Sequence, residues 1–157
     1  MKAPMRHRSL GVLITLAIAM LLAAASAVPG LATPAAGFGS TGLGRGTDQS
    51  VGTLVFQAGT DVVVSKIVVE IGGSSGWHSH PGGAIAVVQQ GQITTYRSVG
   101  GHCDVTTYTA GQSFLERPSD TLNGVNNGSI QTIIYATFPG VPAGGSPRID
   151  RPDPGTC

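Results

Sequence analysis

The chain is poor in charged residues. Lys, Arg, Asp and Glu make up 11% of its 157 residues, and the formal net charge is +1. Three of the nine basic residues, Lys2, Arg6 and Arg8, lie close to the N-terminus, so the chain from residue 28 onward has six basic and eight acidic residues. This part is mildly acidic and has no basic stripe to neutralise phosphates. We therefore expect no nucleic-acid partner.

Long hydrophobic runs are equally scarce, and one stands out. Leu10 to Ala25 is an apolar stretch of about sixteen residues that follows the three basic residues. It is shorter than the roughly 20 residues that span a bilayer, and it ends in Ala25-Ser26-Ala27, a small-x-small sequence that signal peptidase accepts. Residues 1–27 are predicted to be a cleaved signal peptide rather than a retained anchor. The mature protein is then secreted or extracytoplasmic, with no membrane attachment.

Cysteine occurs only twice, as Cys103 and Cys157. Because both follow the predicted signal peptide, an oxidising environment favours a disulfide between them. Two free thiols or an intermolecular bond are the alternatives. A metal role for Cys103 beside His102 has no second nearby sulfur to support it. The expected bridge would fasten the C-terminal tail to the domain.

Helical periodicity is absent from the rest of the chain. Residues 28–49 are rich in Gly, Ala, Thr and Pro and are predicted to be a flexible leader. Residues 50–138 form the domain, and residues 139–157 a Pro-rich tail that wraps the surface in extended form. Short β-branched runs separated by Gly or Asn predict about eight antiparallel strands, at residues 51–58, 62–71, 84–90, 93–97, 105–109, 112–116, 121–125 and 130–138.

Three turn signals separate these runs. Gly91-Gln92 and Asn127-Gly128 are predicted as hairpin turns, and Ala110-Gly111 as another turn. About eight short strands in some 90 residues predict an all-β sandwich or closed barrel of jelly-roll type. No phosphate loop occurs, and the Gly-x-Ser-x-Gly match at Gly72 to Gly76 is not followed by a predicted helix, as a nucleophile elbow requires. These two kinds of catalytic site are set aside.

Coordinating chemistry is concentrated at His78 and His80. On a strand, side chains two residues apart project from the same face, so both imidazoles can converge on one ion while Ser79 points away. Two such histidines also occur simply as polar lining of a barrel. A metal site needs at least one further ligand.

The spacing around this pair resembles the first cupin motif. That motif is Gly, five residues, His-x-His, three or four residues, Glu, six residues, Gly, and it is matched here by Gly72, His78-Ser79-His80 and Gly91, with Ala84 at the Glu position. The similarity is strongest to small single-domain cupins of the cupin-2 type. It implies a conical antiparallel β-barrel of jelly-roll type. Many cupins hold one divalent metal through three His and one Glu.

The second cupin motif is recognisable without its histidine. Gly111 begins it, Arg117-Pro118-Ser119 occupies the Pro-x-Gly stretch, Leu122 takes the His position and Asn126 the Asn position. A register one residue later would instead place Pro118 on the Pro, Asn123 on the His and Asn127 on the Asn. Neither register supplies a histidine.

The resemblance therefore implies an incomplete ligand set. Asp120 is the preferred replacement ligand, because it lies two residues before Leu122 and shares its strand face. The alternative, and the more common role for such a residue, is a turn after Pro118-Ser119. His102 and Glu116 are weaker candidates. The metal ligands expected from the sequence are His78, His80 and Asp120.

Trp77, Tyr96 and Leu122 are predicted to line a ligand cavity. For Trp77, packing against the Gly-rich loop is the alternative. A divalent metal of unknown identity, or no cofactor, and a small-molecule ligand are expected. Since cupins often dimerise through their sheets, a homodimer is a further expectation.

Three functions are compatible with these residues. The favoured one is an exported cupin that binds a small molecule, and a weakly held divalent ion, without catalysis. The alternative is a metal-dependent oxygenase or isomerase that uses His78, His80 and a replacement carboxylate such as Asp120. The third is a structural or partner-binding protein whose barrel interior is filled by side chains such as Ala84 and Leu122.

Overall fold

Alternating β-branched runs build ten strands in the computed structural model, which describes residues 35–37 and 39–157. The predicted signal peptide lies outside the described residues. Every strand belongs to the unit Thr41–Cys157. The strands are β1 (Thr47–Asp48), β2 (Thr60–Val69), β3 (His78–Ser79), β4 (Ala84–Gln90), β5 (Gln92–Val99), β6 (His102–Thr109), β7 (Gln112–Glu116), β8 (Thr121–Val125), β9 (Thr132–Pro142) and β10 (Ile149–Asp150).

The strands form two five-stranded sheets. Sheet A has the order β1-β7-β4-β9-β2, and sheet B has the order β10-β3-β8-β5-β6. All the strand pairs are antiparallel except β1 with β7, which is parallel. Among the described residues no helix is long and apolar enough to cross a membrane. The all-β jelly-roll prediction is confirmed, and its two layers are separately hydrogen-bonded sheets.

The predicted hairpin turns join strands of different sheets. β4 leads through Gly91 to β5, and β8 leads through Asn127-Gly128 to β9, each connection passing from one sheet to the other. Ala110-Gly111 connects β6 to β7 in the same way. The β5–β6 hairpin instead turns at Gly100-Gly101, where both φ angles are positive, as a two-residue type I′ loop requires. The hairpin assignments for Gly91-Gln92 and Asn127-Gly128 were therefore wrong.

Residues 51–58 do not form the expected strand. Val51, Val55 and Phe56 are largely exposed, and β1 already occupies the edge of sheet A beside β7. At the other end of the domain, β9 continues to Pro142, so the first residues of the predicted tail still belong to a strand.

The inward side chains of sheet A supply most of the hydrophobic core. Burial of their apolar surface is the main stabilising contribution to the fold. The fully or almost fully buried members are Ala84, Ala86, Val88, Ile93, Phe114, Ile134, Ala136, Phe138 and Val141. Several of these side chains also face a cavity between the sheets, so the interior is not completely filled.

Candidate metal centre

A cavity of about 530 Å³ opens between the two sheets. Most of its wall is apolar, and polar groups gather where His78 and His80 reach it. A volume of this size falls in the range of about 300–1,000 Å³ that is typical of small-molecule sites. The interior can therefore admit a ligand. Its lining includes Ile67, Ala86, Ile93, Phe114, Leu122, Ile134, Phe138, His78, His80, Glu116 and Arg148.

His78 lies on β3 and His80 directly follows this strand, and both histidines are buried. His78 Nδ1 is 2.9 Å from the carbonyl oxygen of Gly76, and His80 Nδ1 is 2.6 Å from the carbonyl oxygen of Pro147. Because a carbonyl can only accept, each Nδ1 donates its hydrogen. An imidazole held in this way presents its Nε2 as the metal-binding nitrogen. The ring centroids lie 4.8 Å apart.

Glu116 brings a carboxylate to the same place. It is the last residue of β7 and lies directly opposite Ala84 across the β4–β7 pair. Its Oε2 is 2.9 Å from His80 Nε2, and its side chain is only 13% exposed. The carboxylate thus reaches the histidines from the strand beside the one on which the cupin motif places its Glu.

Two glycines make this arrangement possible. A Cβ atom on Gly83, whose φ is +82°, would lie 2.4 Å from the carbonyl oxygen of Glu116. A Cβ atom on Gly82 would lie 2.0 Å from the carbonyl oxygen of Pro139. Only glycine lets the β3–β4 loop pack this closely against β7 and the end of β9. The loop therefore draws His80 toward Glu116.

His78, His80 and Glu116 form the one cluster of at least three His, Cys, Asp or Glu ligands found in the described part of the chain. One ligand atom from each lies within 4.8 Å of the others. Donors about 2.0–2.2 Å from a common ion are about 3.0–3.6 Å apart, so small side-chain movements would close the set. Two imidazoles and one carboxylate suit zinc, iron or a similar divalent ion. The residues therefore fit a metal.

Burial lowers the pKa of His78 below its ordinary value of 6.5. The hydrogen bond to the carbonyl of Gly76 and the negative charge of Glu116 oppose this effect, and His80 and Arg148 add to it. The removal of water around the ring disfavours the charged imidazolium. At neutral pH the Nε2 lone pair of His78 is consequently free to bind a metal.

The structure places Asp120, the preferred carboxylate of the sequence analysis, in a different environment. Its Oδ2 lies 3.2 Å from Arg97 Nη1, and Arg97 also pairs with Asp104. Burial alone would lower the pKa of Arg97, but the hydrogen bond with Asp104 and the charge of Asp120 raise it. Asp120 is thus held by a cation, and the carboxylate beside the two histidines is Glu116.

The remaining candidates are divided between the cavity and the surface. Leu122 lines the cavity and lies opposite His78 on β8. Trp77 and Tyr96 are half-buried but do not line it; the Tyr96 hydroxyl instead accepts a hydrogen bond from Asn127. His102 is exposed at the start of β6. Of the three residues predicted to line a cavity, Leu122 alone is part of its wall.

The second motif has the register that places Leu122 at the His position. Ser119 then occupies the Gly position, and its φ of +64° is in the left-handed region that glycine favours. Asn126 is fully buried, and its side-chain amide donates to the carbonyls of Val69 and Ile130. These backbone roles do not depend on a metal ligand at position 122.

The predicted disulfide is present between Cys103 and Cys157, with the two Cα atoms 5.1 Å apart. It joins the last residue of the chain to β6, the edge strand of sheet B. No free cysteine remains.

Comparisons with known proteins place the fold but not the activity. No family model and no curated protein matches the chain. A solved structure of recombinant oxalate oxidase in complex with glycolate aligns with a TM-score of 0.50 and 18% identity over 57% of this chain and 45% of that chain. Oxalate decarboxylase from Bacillus subtilis, solved at pH 4.6, aligns with a TM-score of 0.51 and 16% identity over 58% and 24%.

The match spans less than half the length of either of these structures. At such low identity the similarity concerns the fold alone. The two-sheet jelly roll, with a His-x-His pair facing its interior, is the cupin fold. The chain therefore has a cupin-type fold with a His-His-Glu cluster in its cavity. The jelly roll implied by the sequence motifs is confirmed, as two sheets and not as a closed barrel.

Proposed function

We propose that this chain binds a divalent metal ion through Nε2 of His78, Nε2 of His80 and a carboxylate oxygen of Glu116. The observation that carries the proposal is the convergence of two buried imidazoles and one partly buried carboxylate while both Nδ1 atoms are held by backbone carbonyls. Such outer hydrogen bonds orient metal-binding histidines and fix their tautomer. A buried histidine pair that merely lined the cavity would also need partners for its N–H groups, but it would not need a carboxylate converging on it.

The carboxylate of Glu116 supplies the negative charge that a site of two neutral histidines lacks. Two neutral imidazoles leave the full charge of the ion uncompensated in a low-dielectric interior, and Glu116 contributes one negative charge. The 2.9 Å contact between His80 Nε2 and Glu116 Oε2 already places this carboxylate beside one of the two imidazole nitrogens that would bind the ion.

We further propose that the cavity binds a small molecule beside the ion. Three protein donors leave coordination positions for an oxygen-bearing group of a ligand. The apolar wall formed by residues such as Phe114, Ile134 and Phe138 suits a hydrophobic body. The favoured ligand class is therefore an apolar small molecule with one metal-binding oxygen group, held without chemical change.

A metal-dependent enzyme is the second candidate function. The observation in its favour is that the donor set leaves positions open toward a cavity large enough for a substrate. A bound divalent ion would supply Lewis-acid or oxygen-activating chemistry there. The roles of this chain's own residues would be to orient the ligand set and exclude water. The enzyme would then be an oxygenase or an isomerase that uses Glu116 as its replacement carboxylate.

Metal analysis tests the site directly. Untagged mature protein should contain close to one divalent ion per chain after incubation with Zn²⁺, Mn²⁺ or Fe²⁺ and gel filtration, measured by elemental analysis. The double variant His78→Ala, His80→Ala should contain almost none. His102→Ala is the matched control, because His102 is exposed on β6, and it should retain the metal. Metal-free wild-type protein would overturn the proposal.

Recovery of the cavity's contents distinguishes binding from catalysis. Metal-loaded protein is incubated with extracts of small molecules, re-isolated, and the captured compounds are identified by mass spectrometry. An unchanged compound that is recovered only with metal-loaded protein supports the binding function. A compound oxidised or isomerised in proportion to time supports the enzyme.

Export is part of the proposed function. Its support is the apolar run Leu10 to Ala25 and the Ala25-Ser26-Ala27 site. The disulfide agrees with an oxidising compartment. Expression of the full chain in a secreting host should yield protein outside the cytoplasm that begins at Val28, as read by mass spectrometry. Retention of Met1 in membrane-bound protein would contradict this proposal.

A further inference from the structure

The C-terminal arm, residues 143–157, touches the supports of both histidines. Within it, the carbonyl oxygen of Pro147 accepts the hydrogen bond from His80 Nδ1 at 2.6 Å. The next residue, Arg148, donates from Nη2 to the carbonyl oxygen of Ser75 at 2.8 Å. Ser75 precedes Gly76, whose carbonyl accepts from His78 Nδ1. The arm thus supplies the acceptor for His80 Nδ1. It also hydrogen-bonds to the loop that supplies the acceptor for His78 Nδ1.

Near the site, the arm is attached to the rest of the domain by a short strand pair and a few hydrogen bonds. β10 pairs with β3 through Ile149 with Ser79 and Asp150 with His78. Arg151 adds two hydrogen bonds, from its Nε to Ser79 Oγ at 2.8 Å and from its backbone N–H to the Trp77 carbonyl at 3.0 Å. Two residue pairs form a very short strand pair, and an isolated pairing of this kind is marginal in water.

The disulfide supplies the distant anchor. β10 is one edge of sheet B and β6, which carries Cys103, is the opposite edge. Four strand spacings of about 4.8 Å make this width about 19 Å. The seven steps from Asp150 to Cys157 reach at most about 25 Å when fully extended. The maximal reach of this segment is therefore only slightly greater than the width of the sheet, so the disulfide keeps the arm close to β3.

We infer that the Cys103–Cys157 disulfide sets the metal affinity of the site by holding Pro147 in place as the positioning group for His80. This inference rests on the proposed metal-binding function. When the disulfide is absent, the arm becomes more mobile, and the hydrogen bond between His80 Nδ1 and the Pro147 carbonyl is broken for part of the time. The imidazole then loses its fixed tautomer and orientation. Loss of an outer hydrogen-bond partner lowers metal affinity by about 10–100-fold.

The test compares the full-length mature wild-type protein with the double variant Cys103→Ser, Cys157→Ser. Serine variants are preferable to a thiol reductant, because thiolates bind divalent metals themselves. Zn²⁺ affinity is measured by competition with a chelator of known affinity. We expect the double variant to bind Zn²⁺ about 10-fold more weakly or worse. Arg151→Ala, which removes the Ser79 contact, should shift the affinity in the same direction by a smaller factor.

A control variant separates the arm from general destabilisation. Val88 is fully buried in the core and does not line the cavity. Val88→Ala should lower the thermal midpoint while leaving Zn²⁺ affinity within about 2-fold of wild type. An equal loss of affinity in Val88→Ala and in the double serine variant would overturn the inference.

Imidazole ¹⁵N chemical shifts give a second readout at His80 itself. In metal-free wild-type protein, Nδ1 should show the shift of a protonated, hydrogen-bonded nitrogen, and in the double serine variant this signal should move toward the average of the two tautomers. Unchanged shifts together with unchanged Zn²⁺ affinity would overturn the inference and leave the metal site intact. Wild-type protein that binds no Zn²⁺ would instead overturn the proposed function.

Discussion

At the scale of single residues, the site depends on which carboxylate faces the histidines. Glu116 contacts His80 Nε2, whereas Asp120 is paired with Arg97. Both residues are acidic and lie near the end of β7 or in the loop after it. Their different roles follow from the direction of each side chain, because the cavity wall includes Glu116 and not Asp120.

Replacing each carboxylate with its amide separates these roles. Glu116→Gln removes a charged ligand atom, so its cost should exceed the 10–100-fold that loss of an outer partner causes; we expect a drop in metal affinity of about 100-fold or more. Asp120→Asn weakens only the pair with Arg97 and should leave the affinity within about 2-fold. Isothermal titration calorimetry checks both. The reverse pattern would make Asp120 the ligand.

The buried imidazole of His78 makes the stability of the metal-free protein depend on pH. Its pKa is lowered by burial in the folded state, so the unfolded chain binds a proton near pH 6.5 while the folded chain does not. The contribution of neutral His78 to the stability of the folded protein is therefore complete above about pH 6.5. It is lost as the pH falls toward the pKa of His78 in the folded state.

Urea unfolding at a series of pH values between 8 and 5 measures this effect. The free energy of unfolding of wild type should decrease below about pH 6.5. In His78→Gln the same curve should be flatter, because the titrating group is gone while a polar side chain remains. Parallel curves for the two proteins would show that His78 does not contribute.

At the scale of the strands, the period-2 pattern was informative where a strand has a partner on each side. Residues 84–90, 112–116 and 121–125 form strands with the predicted bounds. The pattern failed for residues 51–58, whose apolar side chains are exposed, because β-propensity does not say whether a neighbouring strand is available. Hairpins and crossings between sheets have similar turn residues, so the turn signals could not distinguish them.

The site was only partly predictable for the same reason. The His-x-His spacing shows that two imidazoles share a face, because their separation is local. The approach of Glu116 to this face depends on the pairing of β4 with β7, which aligns Ala84 with Glu116. Strand register between distant segments is not contained in the spacing of either one.

Strand register also predicts where a fourth ligand can be added. Leu122 on β8 is opposite His78 and lines the cavity, so Leu122→His places a third imidazole beside the existing two. We expect this variant to bind Zn²⁺ or Mn²⁺ about 10-fold more tightly, on the scale by which single partners alter affinity.

Asn123→His is its control. Asn123 accepts a hydrogen bond from Ser74 at 2.8 Å and does not line the cavity, so its replacement should give no gain in affinity. Calorimetry of the two variants beside wild type decides the matter. A gain from position 123 instead of position 122 would contradict the register of the second motif.

At the scale of the whole molecule, metal binding should be visible as stability. An ion that binds the folded chain alone stabilises it by about 2.7 kcal/mol at a free concentration of 100 times its dissociation constant. We expect Zn²⁺ to raise the thermal midpoint of wild type, measured by calorimetry, and to leave that of the His78→Ala, His80→Ala variant unchanged. An equal rise in both proteins would indicate binding elsewhere.

The positions of the ligands in the two sheets give such an ion a mechanical role. His78 lies on β3 of sheet B and His80 directly follows this strand, whereas Glu116 lies on β7 of sheet A. An ion bound by all three residues would connect sheet A to sheet B. Any separation of the two layers at this point would then require release of a metal ligand. Metal occupancy would thereby govern how readily the interior exchanges its contents.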